Sequence, residues 1–334
     1  MDFLKDIVKE IGDDYTKLAS DIDESESYVD TGSFIFNGLV SGSIFGGVSS
    51  NKITAVAGES STGKTFFSLA IVKNFLDNDP NAYCLYFDTE SAITKSLLED
   101  RGVDTSRLVV INVVTIEQFR SKALKAVDIY LKSKTEERKP CMFVLDSLGM
   151  LSTEIEINDA LEDKQVRDMT KSQLVKGAFR MLTLKLGQAN IPMIVTNHTY
   201  DVIGAYVPTK EMGGGSGLKY ASSTIIYLTK KKEKDGKDVI GNLIKAKTAK
   251  SRLSKENKDV TVRLFYDDRG LDRYYGLLEL GELGVMWKNV AGRYEMNGKK
   301  VYAKEIYKNP EKYFTDDVMK QLDEIAQKEF SYGA

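Results

Sequence analysis

The stretch Gly58-Glu-Ser-Ser-Thr-Gly-Lys-Thr65 decides how the rest of this chain is interpreted. It fits the pattern G-x-x-x-x-G-K-[ST], and it lies between an apolar run, ITAVA at 53–57, and a helical stretch. Glycines let backbone N–H groups fold around phosphate oxygens, and the helix N-terminus adds a positive dipole. We expect Lys64 to face the outer phosphates and Thr65 to face Mg²⁺. The predicted phosphate-binding residues are Gly58, Glu59, Ser60, Ser61, Thr62, Gly63, Lys64 and Thr65.

Short apolar runs and longer helical stretches alternate around this loop. Such alternation is typical of βαβ units, in which helices cover both faces of a parallel sheet. The predicted strands are 53–57, 82–88, 108–112, 141–146 and 191–198, and the predicted helices lie near 65–76, 91–101, 116–132 and 164–188. Three later runs, 223–229, 241–248 and 260–266, follow hairpin-type connections, with Asp235-Gly236 as a turn signal. We expect these runs to extend the same sheet with antiparallel strands.

Two smaller segments flank this main α/β domain, which we assign to residues 31–270. Residues 1–30 begin with an amphipathic helix and continue into an acidic linker. The apolar residues at helical spacing are Phe3, Leu4, Ile7, Val8, Ile11, Tyr15 and Leu18. This stripe needs a partner, and the pattern leaves open whether the partner is the chain's own core or another subunit. Residues 271–334 are predicted to form a small C-terminal α/β appendage.

The formal net charge of -2 hides a strong segregation of charge. Residues 1–30 hold ten acidic and three basic residues, whereas residues 230–258 hold eleven basic and four acidic ones. A locally positive surface for a polyanion is therefore available. Cys84 and Cys141 lie in apolar runs, as buried thiols of a reduced compartment do. With no apolar stretch near the ~20 residues that span a bilayer, we expect a cytoplasmic protein without a signal peptide or membrane contact.

Two carboxylates follow buried runs and are candidates for chemistry at the phosphates. Asp146 ends the run MFVL, so it is expected beside the phosphate loop, where it would order the Mg²⁺ shell; a helix cap is the alternative. Glu90 follows YCLYFD and also reaches the strand edges where open α/β sheets bind ligands. We expect Glu90 to activate an attacking water, although Asp88 and Glu99 compete for that role.

The single histidine, His198, closes the run PMIVTN and is expected at the same sheet edge, within reach of a terminal phosphate. An irregular glycine-rich stretch follows it, and such loops in compact domains are usually functional or disordered. Basic residues that could contact nucleic acid include Lys176 and Arg180 on the long helix; a solvated charged face is the alternative. Phe34, Phe36 and Phe45 favour core or interface packing over base stacking.

Taken in order, these motifs resemble the RecA family, and specifically the UvsX-type phage recombinases. The resemblance covers roughly residues 28–310 and is carried by TGSFIFNGLVSG, GESSTGKT, YFDTESAITKSLLEDRGVD, FVLDS, NHTY, GGGSGLKYAS and AKSRLSKENKDVTVRLFYDD. It implies a RecA-type P-loop ATPase core with a mainly parallel twisted central sheet. It also implies that the N-terminal helix packs on an adjacent protomer.

The resemblance assigns roles to individual residues. Glu90 becomes the catalytic base, Asp146 the Mg²⁺-ordering acid and His198 the phosphate sensor. Lys250 and Arg252 match cations that reach a neighbour's ATP, an interpretation that competes with a simple basic surface patch. Tyr266 matches a residue near the adenine, but Leu97 stands where RecA proteins stack a Tyr on that base.

Two segments resemble the DNA-binding loops of the family, one near 153–163 and the other near 199–217. In that interpretation the phosphate sensor is joined directly to the DNA site. The candidate DNA-binding residues are Lys176, Arg180, Thr199, Gly213, Gly214, Gly215 and Ser216.

The resemblance therefore implies an ATP- and Mg²⁺-dependent homologous recombination protein. It would form filaments on single-stranded DNA, hydrolyse ATP to ADP in a DNA-dependent way, and exchange strands with a homologous duplex. A single-strand-binding protein and a loader are expected partners. The alternatives are a ring-forming RecA-fold helicase and a regulatory ATPase that uses nucleotide only as an assembly switch.

Overall fold

The computed structural model describes residues 2–12, 16–21, 27–164, 170–201, 210–213, 216–296 and 298–333. The strands run β1 Tyr28–Val29, β2 Val48–Ser49, β3 Ile53–Gly58, β4 Tyr83–Asp88, β5 Leu108–Asn112, β6 Cys141–Asp146, β7 Met193–Asp201, β8 Lys210–Met212, β9 Thr224–Asp235, β10 Asp238–Ser251, β11 Asp259–Phe265, β12 Asn289–Val290, β13 Arg293–Met296 and β14 Lys299–Tyr302. The helices run α1 Asp2–Ile11, α2 Phe34–Ser41, α3 Lys64–Asn78, α4 Lys95–Asp100, α5 Ile116–Lys132, α6 Glu154–Leu161, α7 Lys171–Ala189, α8 Ser216–Ala221, α9 Leu277–Leu283, α10 Ala303–Lys308 and α11 Asp316–Phe330.

A large central sheet organises the described residues. Its order is β11-β10-β9-β3-β7-β6-β4-β5, with β8 added to the end of β7. The six strands β9, β3, β7, β6, β4 and β5 run parallel to one another. Strand β10 runs antiparallel to β9, and β11 runs antiparallel to β10. The predicted α/β class with a mainly parallel sheet is confirmed. The antiparallel extension is also as predicted, and the chain reverses at Gly236, whose positive φ of 62° suits a glycine in a tight turn.

Buried apolar side chains cover both faces of this sheet. One cluster joins α3 to the sheet through Phe67 and Val72, and the other joins α5 and α7 through Phe119 and Phe179. Cys84 and Cys141 are free and buried, as predicted. This two-sided cover leaves the carboxyl ends of β3, β4, β6 and β7 at one edge, where open α/β sheets place their ligand sites.

The C-terminal segment packs onto the core rather than standing apart. Phe330 of α11 belongs to the same buried cluster as Phe36 and Leu39 of α2. Asp323 reinforces this contact, because its carboxylate accepts hydrogen bonds from the Ser43 hydroxyl at 2.7 Å and the Ile44 N–H at 2.8 Å. Within the described residues of this segment, β12, β13 and β14 form a small antiparallel sheet. The division of the chain into three domains stays a prediction.

The N-terminal helix α1 presents much of its apolar stripe to solvent. Phe3 is 75% exposed, and Leu4 and Ile11 are each more than half exposed. Tyr15 lies outside the described residues. In the described parts of the chain, no helix combines the length and apolar character that crossing a bilayer requires.

Two helices and one further segment differ from what the sequence predicts. The predicted helix near 91–101 shortens to α4, because the Asp88 carboxylate accepts the N–H groups of Glu90, Ala92 and Ile93 and holds them in a turn. The predicted helix 164–188 is observed as α7, and 165–169 lie outside the described residues. The segment near 153–163, which resembles a DNA-binding loop of the family, contains the helix α6.

That third difference has a local cause. The Thr153 hydroxyl accepts the Glu156 N–H, and the Glu156 carboxylate accepts the Thr153 N–H, which together form a capping box. The sequence TEIE carried this signal, since a Ser or Thr followed three residues later by Glu marks a helix start.

Candidate functional site

The phosphate-binding loop lies between β3 and α3, as predicted. Gly63 adopts a φ of 92° immediately before the helix, a conformation that favours glycine. The Lys64 ammonium donates to the Gly58 carbonyl at 3.0 Å and to the Glu59 carbonyl at 2.8 Å. Burial lowers the pKa of Lys64, although the charges of Asp146 and Glu90 oppose that effect. The ammonium and the start of α3 thus offer positive charge to an anion at one place.

Asp146 ends β6 beside this loop and is held from three elements. Its Oδ2 accepts the Thr65 hydroxyl at 2.7 Å and the Tyr86 hydroxyl at 2.7 Å. Its Oδ1 accepts the Thr196 hydroxyl. The Thr65 hydroxyl and the Asp146 carboxylate supply hard oxygen donors of the kind Mg²⁺ prefers. Among the described residues, no group of three or more acidic, His or Cys side chains is arranged so that it could hold a metal ion.

Glu90 lies at the neighbouring strand edge, after β4. Its Oε1 accepts the Ser147 hydroxyl at 3.0 Å and lies 3.5 Å from Nε2 of His198. The side chain is 40% exposed, so solvent reaches the carboxylate. Asp88 is buried and engaged with backbone N–H groups, whereas Glu99 lies on α4 beside Lys95. Of the three competing carboxylates, only Glu90 lines the cavity at the phosphate loop.

His198 ends the parallel register between β3 and β7, opposite Gly58. Its Nδ1 lies 3.5 Å from the Lys64 ammonium, so the ring stands between Lys64 and Glu90. Its backbone carbonyl accepts the Gly213 N–H at 3.0 Å, and the Asn197 amide donates to the Gly213 carbonyl at 2.7 Å. A Cβ on Gly213 would lie 2.7 Å from the Tyr200 ring, so glycine permits this close approach. The histidine is thereby joined by hydrogen bonds to one end of the glycine-rich segment.

A cavity of about 690 Å³ extends from the phosphate loop towards Tyr266. The Tyr266 hydroxyl donates to the buried Asn242 side chain at 3.1 Å. Lys230 on β9 also lines this space and donates to the Ser61 carbonyl of the loop. The phosphate loop and Lys230 therefore line one part of the cavity, and Tyr266 and Asn242 line another. It has room for phosphates and a planar base.

Lys250 and Arg252 are not among the described residues that line this cavity. The Lys250 ammonium donates to the carbonyls of Lys219 at 2.7 Å and Ser222 at 2.7 Å, at the end of α8. Burial lowers the pKa of Lys250, and the nearby Arg252 acts in the same direction. Arg252 itself is exposed.

The candidate DNA-binding residues divide into two groups. Lys176 and Arg180 are exposed on α7, whereas Phe179 between them is buried. Thr199 pairs with Met212 where β7 meets β8, and Ser216 begins α8. Gly214 and Gly215 lie outside the described residues, as do residues 202–209 between β7 and β8.

Several side chains that shape this site were not predicted from the sequence. Tyr86 and Thr196 hold Asp146, Ser147 holds Glu90, and Lys230 reaches the loop from an antiparallel strand. Tyr86 and Thr196 carried a weak signal, because each is a polar group inside a strand whose neighbours are buried and apolar. Ser147 and Lys230 carried none, since their contacts depend on which strands are adjacent.

Comparison with known proteins agrees with this geometry. A family model described as the RecA N-terminal domain matches residues 2–272. The "Recombination and repair protein" of Enterobacteria phage T4 is 35% identical over 261 residues, which are 78% of this chain and 65% of that protein. "Protein RecA" of Cereibacter sphaeroides is 28% identical over 247 residues, 73% of this chain and 68% of the relative. "Protein RecA" of Clavibacter michiganensis is 26% identical over 303 residues, 88% of this chain and 79% of the relative.

The match to the phage protein spans slightly less than two thirds of that protein's length. The family model, by contrast, covers the phosphate loop, Glu90, Asp146, His198 and the central sheet within one continuous region. On the strength of that match, this chain belongs to the RecA family.

Proposed function

We propose that this chain is a DNA-dependent ATPase that forms filaments on single-stranded DNA and catalyses homologous pairing and strand exchange. The observation that carries the proposal is the hydrogen-bonded link between His198, at the phosphate site, and Gly213, at the end of the glycine-rich segment. A group that senses a terminal phosphate is thereby tied to a candidate DNA loop. The similarity to a recombination and repair protein supports the same function.

In this proposal the chain's own residues divide the work of hydrolysis. The loop N–H groups and Lys64 bind the phosphates, and the triphosphate replaces the Gly58 and Glu59 carbonyls as the partner of the ammonium. Glu90 accepts a proton from the attacking water, and Ser147 orients its carboxylate. Thr65 and Asp146 would hold Mg²⁺, which would neutralise developing charge on the phosphates.

His198 has a different task because it lies between Lys64 and Glu90. A terminal phosphate near Lys64 would offer the ring a new hydrogen-bond partner. Movement of the His198 backbone would then pass to Gly213 through their shared hydrogen bond. Loss of the phosphate after hydrolysis would reverse that shift, so DNA binding would follow the nucleotide state.

The site is complete only between two subunits in this proposal. Lys250 and Arg252 would approach the neighbour's phosphates, where a cation stabilises developing charge. The exposed stripe of α1 would pack on an adjacent protomer and hold the two subunits in register. A head-to-tail contact whose rotation does not close into a ring generates a helical filament on repetition, and this is the assembly that we propose.

Measuring ATP hydrolysis with and without single-stranded DNA over a range of protein concentrations tests the proposal. We expect DNA to stimulate hydrolysis, and we expect the rate per protomer to rise with concentration as interfaces form. Electron microscopy of the same samples should show open filaments. Hydrolysis that is indifferent to DNA, without DNA-dependent assembly, would refute the proposal.

A further inference from the structure

The wall of the cavity near Tyr266 contains an arginine that makes few hydrogen bonds. Arg101 follows α4 and lines the cavity together with Phe66, Leu97 and Tyr266. Its guanidinium carbon lies over the Phe66 ring, 3.9 Å from the ring centre, at the distance of a cation–π contact. Its Nη1 donates to the Phe265 carbonyl at 3.2 Å. The guanidinium is therefore held at a wall of the cavity.

Most of the hydrogen-bond donors of Arg101 are not what holds this side chain in place. The buried Nε of Arg101 has no hydrogen-bond partner among the described residues, and leaving a buried donor unpaired costs free energy. Burial also lowers the pKa of Arg101, although Asp267 and Asp100 oppose the effect. The guanidinium is therefore positioned by its contact with Phe66 and by one hydrogen bond to the Phe265 carbonyl.

The chemistry of this wall suits a flat aromatic ligand. An arginine guanidinium is planar, weakly hydrated for a cation, and stacks on aromatic faces, including those of nucleobases. Leu97 is aliphatic and offers no flat surface at the same end of the cavity. Since the phosphates of a nucleotide occupy the loop, its base must extend into this part of the 690 Å³ space.

We infer that Arg101 is the base-binding residue of this nucleotide site: the Phe66-supported guanidinium provides the flat surface on which the base of the nucleoside triphosphate stacks, beside Tyr266. The inference rests on the proposed nucleotide site, and it identifies the base as the part of the ligand that Arg101 contacts. It assigns Arg101 to base affinity and assigns Lys64 to phosphate affinity.

Equilibrium binding of two ligands to the full chain without DNA tests the inference. One ligand is ATP, and the other is ribose 5′-triphosphate, which carries the same phosphates without a base. Arg101→Met should weaken ATP binding by about 3- to 30-fold, the range expected for a desolvated cation–π contact, and should change ribose triphosphate binding less than about 2-fold. Arg101→Lys keeps the charge but loses the plane, so we expect the same selective loss.

Arg269→Met is the matched control. Arg269 also stacks on an aromatic ring, that of Phe265 at 3.8 Å, but it is exposed and pairs with Asp267 rather than lining the cavity. It should leave both affinities unchanged. Equal losses for the two ligands, or full ATP affinity in Arg101→Lys, would overturn the role of Arg101 while leaving the phosphate site intact. A wild-type chain that binds neither ligand would instead overturn the nucleotide site itself.

Discussion

The Lys64 ammonium lies in a buried position, which disfavours its charged form, and this predicts that ATP affinity depends on pH. Burial lowers the pKa of Lys64 in the free chain. Bound phosphates favour the charged ammonium, so they raise that pKa. ATP affinity should therefore be constant at pH values below the free-chain pKa and should fall as pH rises from the lower pKa to the higher one.

Calorimetric titration with ATP across the alkaline range measures this effect, and binding should take up protons in the same interval. Lys73→Gln is a suitable control, because Lys73 lies on the same helix but pairs with Asp77 at the surface. It should leave the profile unchanged, whereas Lys64→Gln should remove the dependence together with most of the affinity. An ATP affinity that does not change up to strongly alkaline pH would contradict the role given to Lys64.

Glu90 is predicted to act on the attacking water and not on nucleotide binding. Glu90→Gln keeps the size of the side chain but removes the base, so hydrolysis should fall by about 10²- to 10⁴-fold while ATP binding persists. Single-turnover hydrolysis with DNA measures this loss. Glu99→Gln, which changes a carboxylate outside the cavity, should retain full activity. A wild-type rate of hydrolysis in Glu90→Gln would show that a group other than Glu90 activates the attacking water.

At the scale of elements, α1 is the feature that most requires a partner. A helix with a wide apolar stripe gains little stability in water unless that stripe is buried. Ile7→Asp should therefore prevent nucleotide-dependent assembly while leaving nucleotide binding by each protomer near its wild-type value.

Sedimentation with DNA and a slowly hydrolysed ATP analogue measures assembly, and fluorescence titration measures nucleotide binding. Lys9→Gln changes an exposed polar position of the same helix and should assemble normally. If Ile7→Asp assembled as well as the wild type, α1 would not be the subunit contact.

The elements also show where sequence interpretation succeeds and where it fails. The buried strands β3, β4, β5, β6 and β7 were predictable because each is an apolar run bounded by turn residues. The late start of α4 was not predictable, since the Asp88 carboxylate binds N–H groups up to five residues away and holds the residues before the helix in a turn. The helix α6 was not predicted, although the spacing of Thr153 and Glu156 is that of a capping box.

At the scale of the whole molecule, the proposed shared site predicts complementation between two inactive variants. Glu90→Gln lacks the base, and Arg252→Ala lacks a cation for the neighbour's site. Each should be inactive alone. In a one-to-one mixture that assembles at random, about a quarter of the head-to-tail interfaces would combine an intact Glu90 with an intact Arg252.

DNA-stimulated hydrolysis of the mixture should therefore recover to about that fraction of the wild-type rate. Mixing Glu90→Gln with Asp146→Ala provides a control, because both changes affect the same subunit's cavity and no interface regains a complete site. Absence of recovery in the first mixture would show that Arg252 does not act across an interface.

The sequence by itself determined the phosphate-binding loop, the α/β class and the polar residues that end each central strand. These features depend on the spacing of motif residues and on the periodicity of apolar residues in short segments, and both can be determined from the sequence. It also determined family membership, because the order of the motifs along the chain is sufficient for that.

Only the tertiary structure decided which of those residues meet. Asp146 contacts Thr65, Tyr86 and Thr196, which come from three separate elements. Glu90 was distinguished from Asp88 and Glu99 in the same way, by the direction each carboxylate faces. Arg101 packs on Phe66, and this contact places it at the wall of the cavity. Local periodicity reports how deeply a residue is buried but not which strand lies beside it, and the adjacency of β3, β7, β6 and β4 is what assembles the site.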